Sequence, residues 1–368
     1  MTSATEVTWE QALAWRLRRH HLVERAAPSE LLRVVSAICG LHAQLMSSAG
    51  LSVWARVEGF EREALQDELW QRRSLVKLWA MRGTLHLLPA SELGVWLAGL
   101  GTYTDRGMTG HPAIDRLSDA VGRALDGRIL TREELALAVE EFTGENELAG
   151  HVASSWGSYL KPSSFRGRLC FATSDDGRVR FTTPATWLRE PLDRPDPEEA
   201  LREVTRRFLA AYAPATAADL ALWWNGSGPA RGRRMLAELG DEAVELEIDG
   251  GRFWALAGDA RELSAGQPAR SARLLPAFDP WVAGASRTEP ALLAARHRAR
   301  VYRPQGWFSP VLLVDGRMVG VWRHERTSRR VLVGLEPFGR LRAGARAELE
   351  AEAERLAAFL GRGLTIGR

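Results

Sequence analysis

Apolar residues recur along this chain at a helical period, then at a period of two, and then the cycle repeats. Between residues 115 and 125, Leu117, Ala120, Val121, Ala124 and Leu125 fall on one helical face. Thr131 with Glu134 three residues later has the form of a capping box, which opens a second helix. A third helix is expected from about 147 to 160, stopping near Pro162. Residues 169–173 and 178–182 then alternate as strands around a turn at 174–177 that carries Asp176-Gly177. Helix, helix, helix, hairpin is the order of a winged helix-turn-helix.

The same order recurs on both sides. Downstream, residues 197–212 read as a helix, Thr216 with Asp219 caps a second, and 228–238 supply a third. Strands at 243–248 and 252–256 flank Asp249-Gly250-Gly251. Upstream, a looser version has helices at 8–20, 29–38 and 61–72 and strands at 74–80 and 84–88 around Arg82-Gly83. The first seven residues read as a loose tail. Beyond residue 266 the character changes: strands are expected at 309–314, 318–322 and 331–335, then a closing helix at 343–360. The expected fold class is therefore α+β, with three tandem winged-helix units followed by a small β-rich, barrel-like domain. The boundaries are 1–110, 111–192, 193–265 and 266–368, and 368 residues suit several units better than one core.

Composition narrows the function classes. Apolar content of 45% and charged content of 26% are those of a globular chain. No apolar run has the length of a membrane span, no signal pattern opens the chain, and two cysteines make neither a disulfide framework nor a metal cluster. A cytoplasmic, nucleoid-associated monomer is expected, with no membrane and no obligate protein partner. Net charge is only +3, yet the pI is about 9.2. All but two of the 49 basic residues are arginine, the exceptions being Lys77 and Lys161. Base composition accounts for most of that bias. The clustering says more: Arg16, Arg18 and Arg19, residues 165–168, Arg231 with Arg233 and Arg234, and residues 323–330 are basic patches. Acidic residues gather elsewhere, at 193–203 and 348–354, a separation that favours a polyanionic partner. The candidate phosphate contacts are Arg166, Arg168, Arg231, Arg233, Arg326, Arg329 and Arg330.

Catalytic motifs are scarce. The sequence has no Walker loop, zinc-spaced cluster, nucleophile elbow or dinucleotide fingerprint. His20-His21 at a helix end suits interaction with the helix dipole. His86 reads as a buried, hydrogen-bonded histidine, and Asp279 in "LLPAFDPW" as a turn-former. "GLHAQLMSS" places His42 and Gln44 two apart just after a helix stop at Gly40, so an extended chain there puts both on one face. Taken alone, that pair reads as structural, making backbone hydrogen bonds.

Four segments change that reading. "GLHAQ" with "LSVWAR", then "LWAMRGTLHLLPASEL", "LLPAFDPWVAG" and "WFSPVLLVDGRMVGVWR", in this order and over nearly the whole chain, resemble the AlkZ/YcaQ-like winged-helix DNA glycosylases. The resemblance implies excision of alkylated bases from double-stranded DNA without a metal or other cofactor. The family's Gln–apolar–Gln or Gln–apolar–Asp catalytic motif falls on His42-Ala43-Gln44, and Arg82, Thr84, His86 and Asp279 become candidate pocket residues. A leading histidine resembles the variant found in relatives that remove bulky alkyl-guanine monoadducts as antibiotic self-resistance. It departs from the Gln–apolar–Gln pattern, some members of which are credited with interstrand-crosslink unhooking. The implied enzyme is a monofunctional hydrolase of the N-glycosidic bond of bulky N7-alkylguanine. The rival is a non-catalytic winged-helix DNA-binding protein or regulator.

Overall fold

A computed structural model describes residues 5–103, 112–154, 157–173, 176–226, 228–327, 330–361 and 363–367. The chain forms two compact units, one of Met1–Arg62, Arg206–Leu220 and Gly232–Arg368, the other of Glu63–Thr205 and Ala221–Arg231. No described helix is long and apolar enough to cross a membrane.

In the second unit, helix Pro112–Leu125 buries Leu117, Val121 and Leu125 against Leu135, Val139, Leu148 and Phe181. Thr131 caps helix Arg132–Thr143 as its sequence demands: its amide donates to Glu134 Oε2 at 2.7 Å, and its hydroxyl accepts from the Glu134 amide at 3.3 Å. Such a cap is worth about 1 kcal/mol. Gly144, in the left-handed region at φ 67°, ends that helix.

The third helix differs from expectation. It spans Asn146–Ala153, and a left-handed Gly157 precedes a short 3₁₀ turn and a separate helix, Lys161–Phe165. Pro162 opens this last helix rather than stopping the earlier one, because a missing N–H costs nothing in a first turn. Strands Cys170–Ala172 and Arg180–Thr182 pair antiparallel, and Leu130–Thr131 adds a third strand against Arg180–Thr182. Residues 174–175 of the expected turn lie outside the described residues. The hairpin of Leu75–Trp79 and Leu85–Pro89 belongs to the same unit.

The first unit carries helices Trp9–Arg19, Leu31–Ala37 and Met46–Trp54. Its hairpin of Ala243–Ile248 and Gly251–Leu256 gains a parallel strand from Thr5–Glu6. Of the tail expected over residues 1–7, residues 5–7 are instead paired, the Val7 amide donating to the Glu247 carbonyl at 3.1 Å with Val7 buried, while residues 1–4 lie outside the described residues. The β-rich end is a five-stranded sheet in the order Ala272–Leu275, Val311–Val314, Arg317–Arg326, Arg330–Pro337, Gly363–Gly367. Its three inner strands are those expected; the outer two are additional.

Helix Ala345–Phe359 packs beside this sheet through Ala345, Leu349, Ala353 and Leu356. The same helix fastens the segment that holds His42. Glu352 pairs with Arg25, and Arg355 donates to the carbonyls of Trp54 at 2.9 Å and Val57 at 3.2 Å with its guanidinium over the Trp54 ring. His20 does not meet a helix dipole as a cation. It is fully buried against the Ala211 carbonyl at 2.9 Å, and burial, with Arg56 and Arg16 adding to it, holds its imidazole well below the usual histidine range.

Candidate active site

The His42 segment begins where helix Leu31–Ala37 ends. Cys39 and Gly40 both take left-handed backbone, at φ 60° and 89°, and the Gly40 amide donates back to the Val35 carbonyl at 2.8 Å. Two consecutive left-handed residues turn the chain sharply, and Gly40 takes its share at no steric cost. Leu41–His42 is then extended, and the chain bends at Gln44 and Leu45 before helix Met46–Trp54 starts. His42 and Ala43 are buried while Gln44 is exposed. The extended stretch expected to carry both residues thus ends before Gln44: His42 lies in the strand and is covered, whereas Gln44 lies in the bend and is open.

The cover over His42 is Phe278. Their rings lie nearly parallel, at 12°, with centroids 4.9 Å apart. Phe278 has φ 60°. An aromatic residue in that region costs on the order of 1–3 kcal/mol and persists only where its surroundings over-determine it. Asp279 does this. It caps helix Pro280–Gly284 by accepting from the Trp281 amide at 2.9 Å, and it takes both ends of the Arg56 guanidinium at 2.7 and 2.8 Å. Arg56 also donates to the Ser52 carbonyl at 2.8 Å. Both members of the ion pair are completely buried. A chain of contacts thus runs from His42 through helix Met46–Trp54 to Arg56, Asp279 and Phe278, and back to His42. Outside it, Phe278 meets Trp307 edge to face at 4.8 Å, and Trp307 is exposed.

Asp279 is therefore joined to His42 through Phe278 and holds an ion pair as well as the turn expected of it. Arg82, Thr84 and His86 lie in the other compact unit. Arg82, at φ 58°, donates to the Trp223 carbonyl at 2.8 Å, and the Thr84 hydroxyl donates to Met81 at 2.9 Å. His86 Nδ1 lies 2.9 Å from the Thr84 carbonyl. Burial, with Arg82 nearby, pulls its pKa down to about 3, so it is neutral at physiological pH.

The arginine candidates divide. Arg166 pairs with Asp115 and Arg168 with Asp119, both carboxylates on helix Pro112–Leu125. Arg231 donates to the Thr102 hydroxyl at 2.9 Å. Arg233, Arg326 and Arg330 are exposed, the last also reaching Thr365 at 3.4 Å. Arg329 lies outside the described residues. Among the described residues no group of three or more His, Cys, Asp or Glu is placed to hold a metal ion.

Arg56, Phe278 and Trp307 were not singled out from sequence. One signal was available for the first: "LSVWAR" and "LLPAFDPWVAG" are apolar runs that each carry one charge, of opposite sign, and an isolated charge in an apolar run must find a partner.

Set beside known proteins, the chain falls in one enzyme class. The family model "DNA glycosylase AlkZ-like" matches residues 35–359, so the chain belongs to that family and is a DNA glycosylase. It is 37% identical over 331 residues to the interstrand DNA cross-link repair glycosylase of Streptomyces sahachiroi, a match covering 86% of this chain and 88% of that one. The solved structure of Streptomyces sahachiroi DNA glycosylase AlkZ superposes with a TM-score of 0.87 at 34% identity, covering 99% of this chain and 100% of that one. The same match supports the winged-helix arrangement here.

Proposed function

We propose that this glycosylase hydrolyses the N-glycosidic bond of bulky N7-alkylguanine in double-stranded DNA, with His42 and Gln44 as its catalytic pair, and that it serves base excision repair or self-resistance to an alkylating antibiotic. The observation that carries the reading is His42-Ala43-Gln44 itself, a segment that resembles the family's catalytic motif and lies inside the matched stretch. Alkylation at N7 makes the guanine cationic, so the base leaves without strong protonation. What the reaction needs is a water aimed at C1′ and support for positive charge on the sugar. Water oxygen bonds to C1′ as the C1′–N9 bond breaks. The bonding pair goes to the guanine and cancels its charge, and the water's proton passes to His42. The Gln44 carbonyl holds the same water or the sugar. The cross-link activity in the name of the Streptomyces sahachiroi relative belongs to that protein; the leading histidine here favours monoadducts.

The test is base release from a duplex carrying one nitrogen-mustard monoadduct at guanine N7. Free alkylguanine and an intact abasic strand are expected, with strand scission only after alkali. Borohydride should trap no enzyme–DNA adduct. A lysine nucleophile needs a desolvated or cation-flanked amine at the reacting carbon; burial holds the Lys77 amine below the usual lysine range, but Lys77, in strand Leu75–Trp79, and Lys161, which opens helix Lys161–Phe165, both lie outside the His42-Ala43-Gln44 segment. A borohydride-stable adduct lost in Lys77→Ala or Lys161→Ala would replace hydrolysis by Schiff-base chemistry.

The exposed Arg326 and Arg330, at the turn between strands Arg317–Arg326 and Arg330–Pro337, are the proposed phosphate contacts of that hairpin. Neutralising both should reduce the slope of log affinity against log salt by about 2, roughly one per lost contact. An unchanged slope removes the hairpin from the interface.

A further inference from the structure

We propose that Phe278 is a positioning residue for His42, its ring fixing the plane of the imidazole and favouring the imidazolium that forms as the attacking water loses its proton. The inference rests on His42 being the catalytic base of the preceding section. It begins from the turn. The Asp279 amide donates to the Pro276 carbonyl at 3.3 Å, which makes Phe278 the third residue of a four-residue turn, and its backbone is left-handed at φ 60°. Glycine or asparagine takes that place without strain. A phenyl ring stands there instead, and it faces the His42 ring at 4.9 Å and 12°.

Nothing near the turn lets the ring drift. On the C-terminal side Asp279 is held by the Trp281 amide and by both ends of Arg56. Arg56 follows helix Met46–Trp54, the element that His42 and Gln44 lead into. The same two anchors thus set the distance between the phenyl ring and the histidine. Trp307 and Phe308 also pack against the phenyl ring, at 4.8 and 5.7 Å between centroids. An imidazole covered in this way cannot turn about its Cβ–Cγ bond without losing the stack. The phenyl face is also the negative pole of the ring quadrupole, so it attracts the imidazolium more than the neutral ring. Three segments of sequence, "LSVWAR", "AFDPW" and "WFSP", acquire one purpose on this reading: they hold an aromatic surface against the histidine of "GLHAQ".

The test compares Phe278→Leu, Phe278→Tyr and His42→Ala on the nitrogen-mustard N7-guanine duplex under single-turnover conditions. Leucine keeps apolar volume and removes the ring, and should slow excision by about 10- to 100-fold while duplex affinity holds within about threefold. The acid limb of its rate profile should move to lower pH, because the imidazolium has lost its aromatic neighbour. Tyrosine keeps the ring and should restore both rate and profile. In the wild-type enzyme the His42 ring protons, assigned by their loss in His42→Ala, should resonate upfield of their unfolded positions; this reading does not depend on any Phe278 variant folding. Wild-type rate and profile in Phe278→Leu beside an inactive His42→Ala overturn the positioning role alone, as do unshifted His42 ring protons in the wild type. A fully active His42→Ala overturns the catalytic reading beneath it.

Discussion

Alanine at His42 or at Gln44 is expected to slow base excision by about 10²-fold, the usual scale for a positioned acid–base group, while duplex affinity changes only a few-fold. The two substitutions test the idea differently. His42 is buried and stacked, so its loss also leaves a gap beneath Phe278, and the variant's folding stability has to be measured beside its rate. Gln44 is exposed, so its truncation should change stability by no more than about 0.5 kcal/mol. A rate loss there has no structural explanation, which makes Gln44→Ala the cleaner experiment. If both residues act on one water, the double variant should be little slower than the worse single one, because residues that work as a unit are not additive. Both single variants excising at the wild-type rate in single turnover would remove the pair from the chemistry.

The elements legible in the sequence were those with a period and a punctuation mark. Thr131 with Glu134 and Thr216 with Asp219 make the reciprocal bonds their spacing implies. Helix Ala345–Phe359 and the inner strands of the terminal sheet also fall where alternation put them. Two of the missed helices lack a polar face. Met46–Trp54 and Leu93–Leu100 are buried along most of their lengths, so no amphipathic stripe marks them. Thr5–Glu6 and Gly363–Gly367 are strands only because distant partners pair with them, a long-range fact that local pattern does not hold.

The site divides in a similar way. His42-Ala43-Gln44 gained meaning only from its likeness to a family; read alone it was an ordinary polar pair. For the basic cluster at Arg166 and Arg168, clustering along the chain does not reveal what a neighbouring helix presents. Asp115 and Asp119, one helical turn apart on Pro112–Leu125, pair with Arg166 and Arg168. Phe278 was invisible as a strained residue, since φ is set by the contacts of Asp279 and not by its own side chain.

Breaking the Arg56–Asp279 pair should have the largest effect on stability. Asp279→Ala or Arg56→Ala is expected to cost about 3–5 kcal/mol, because each leaves an uncompensated charge in a site closed to solvent. The magnitude follows from the completeness of burial: both side chains are fully buried, whereas pairs such as Arg116 with Glu145 face solvent and are screened by it. Asp279→Ala also removes the cap on helix Pro280–Gly284, so it should be the worse of the two. Replacing both partners with apolar residues of similar volume, as in Arg56→Met with Asp279→Leu, should cost less than the sum of the single losses, since no charge is then left unpaired. Urea unfolding followed by tryptophan fluorescence measures all of these. Excision by the double variant separates stability from function: without Asp279, nothing holds Phe278 in the left-handed region, and the double variant should recover stability without recovering rate. A single variant that loses less than about 1 kcal/mol would show that water or another group satisfies the remaining charge, and that the pair does not brace the turn beneath His42.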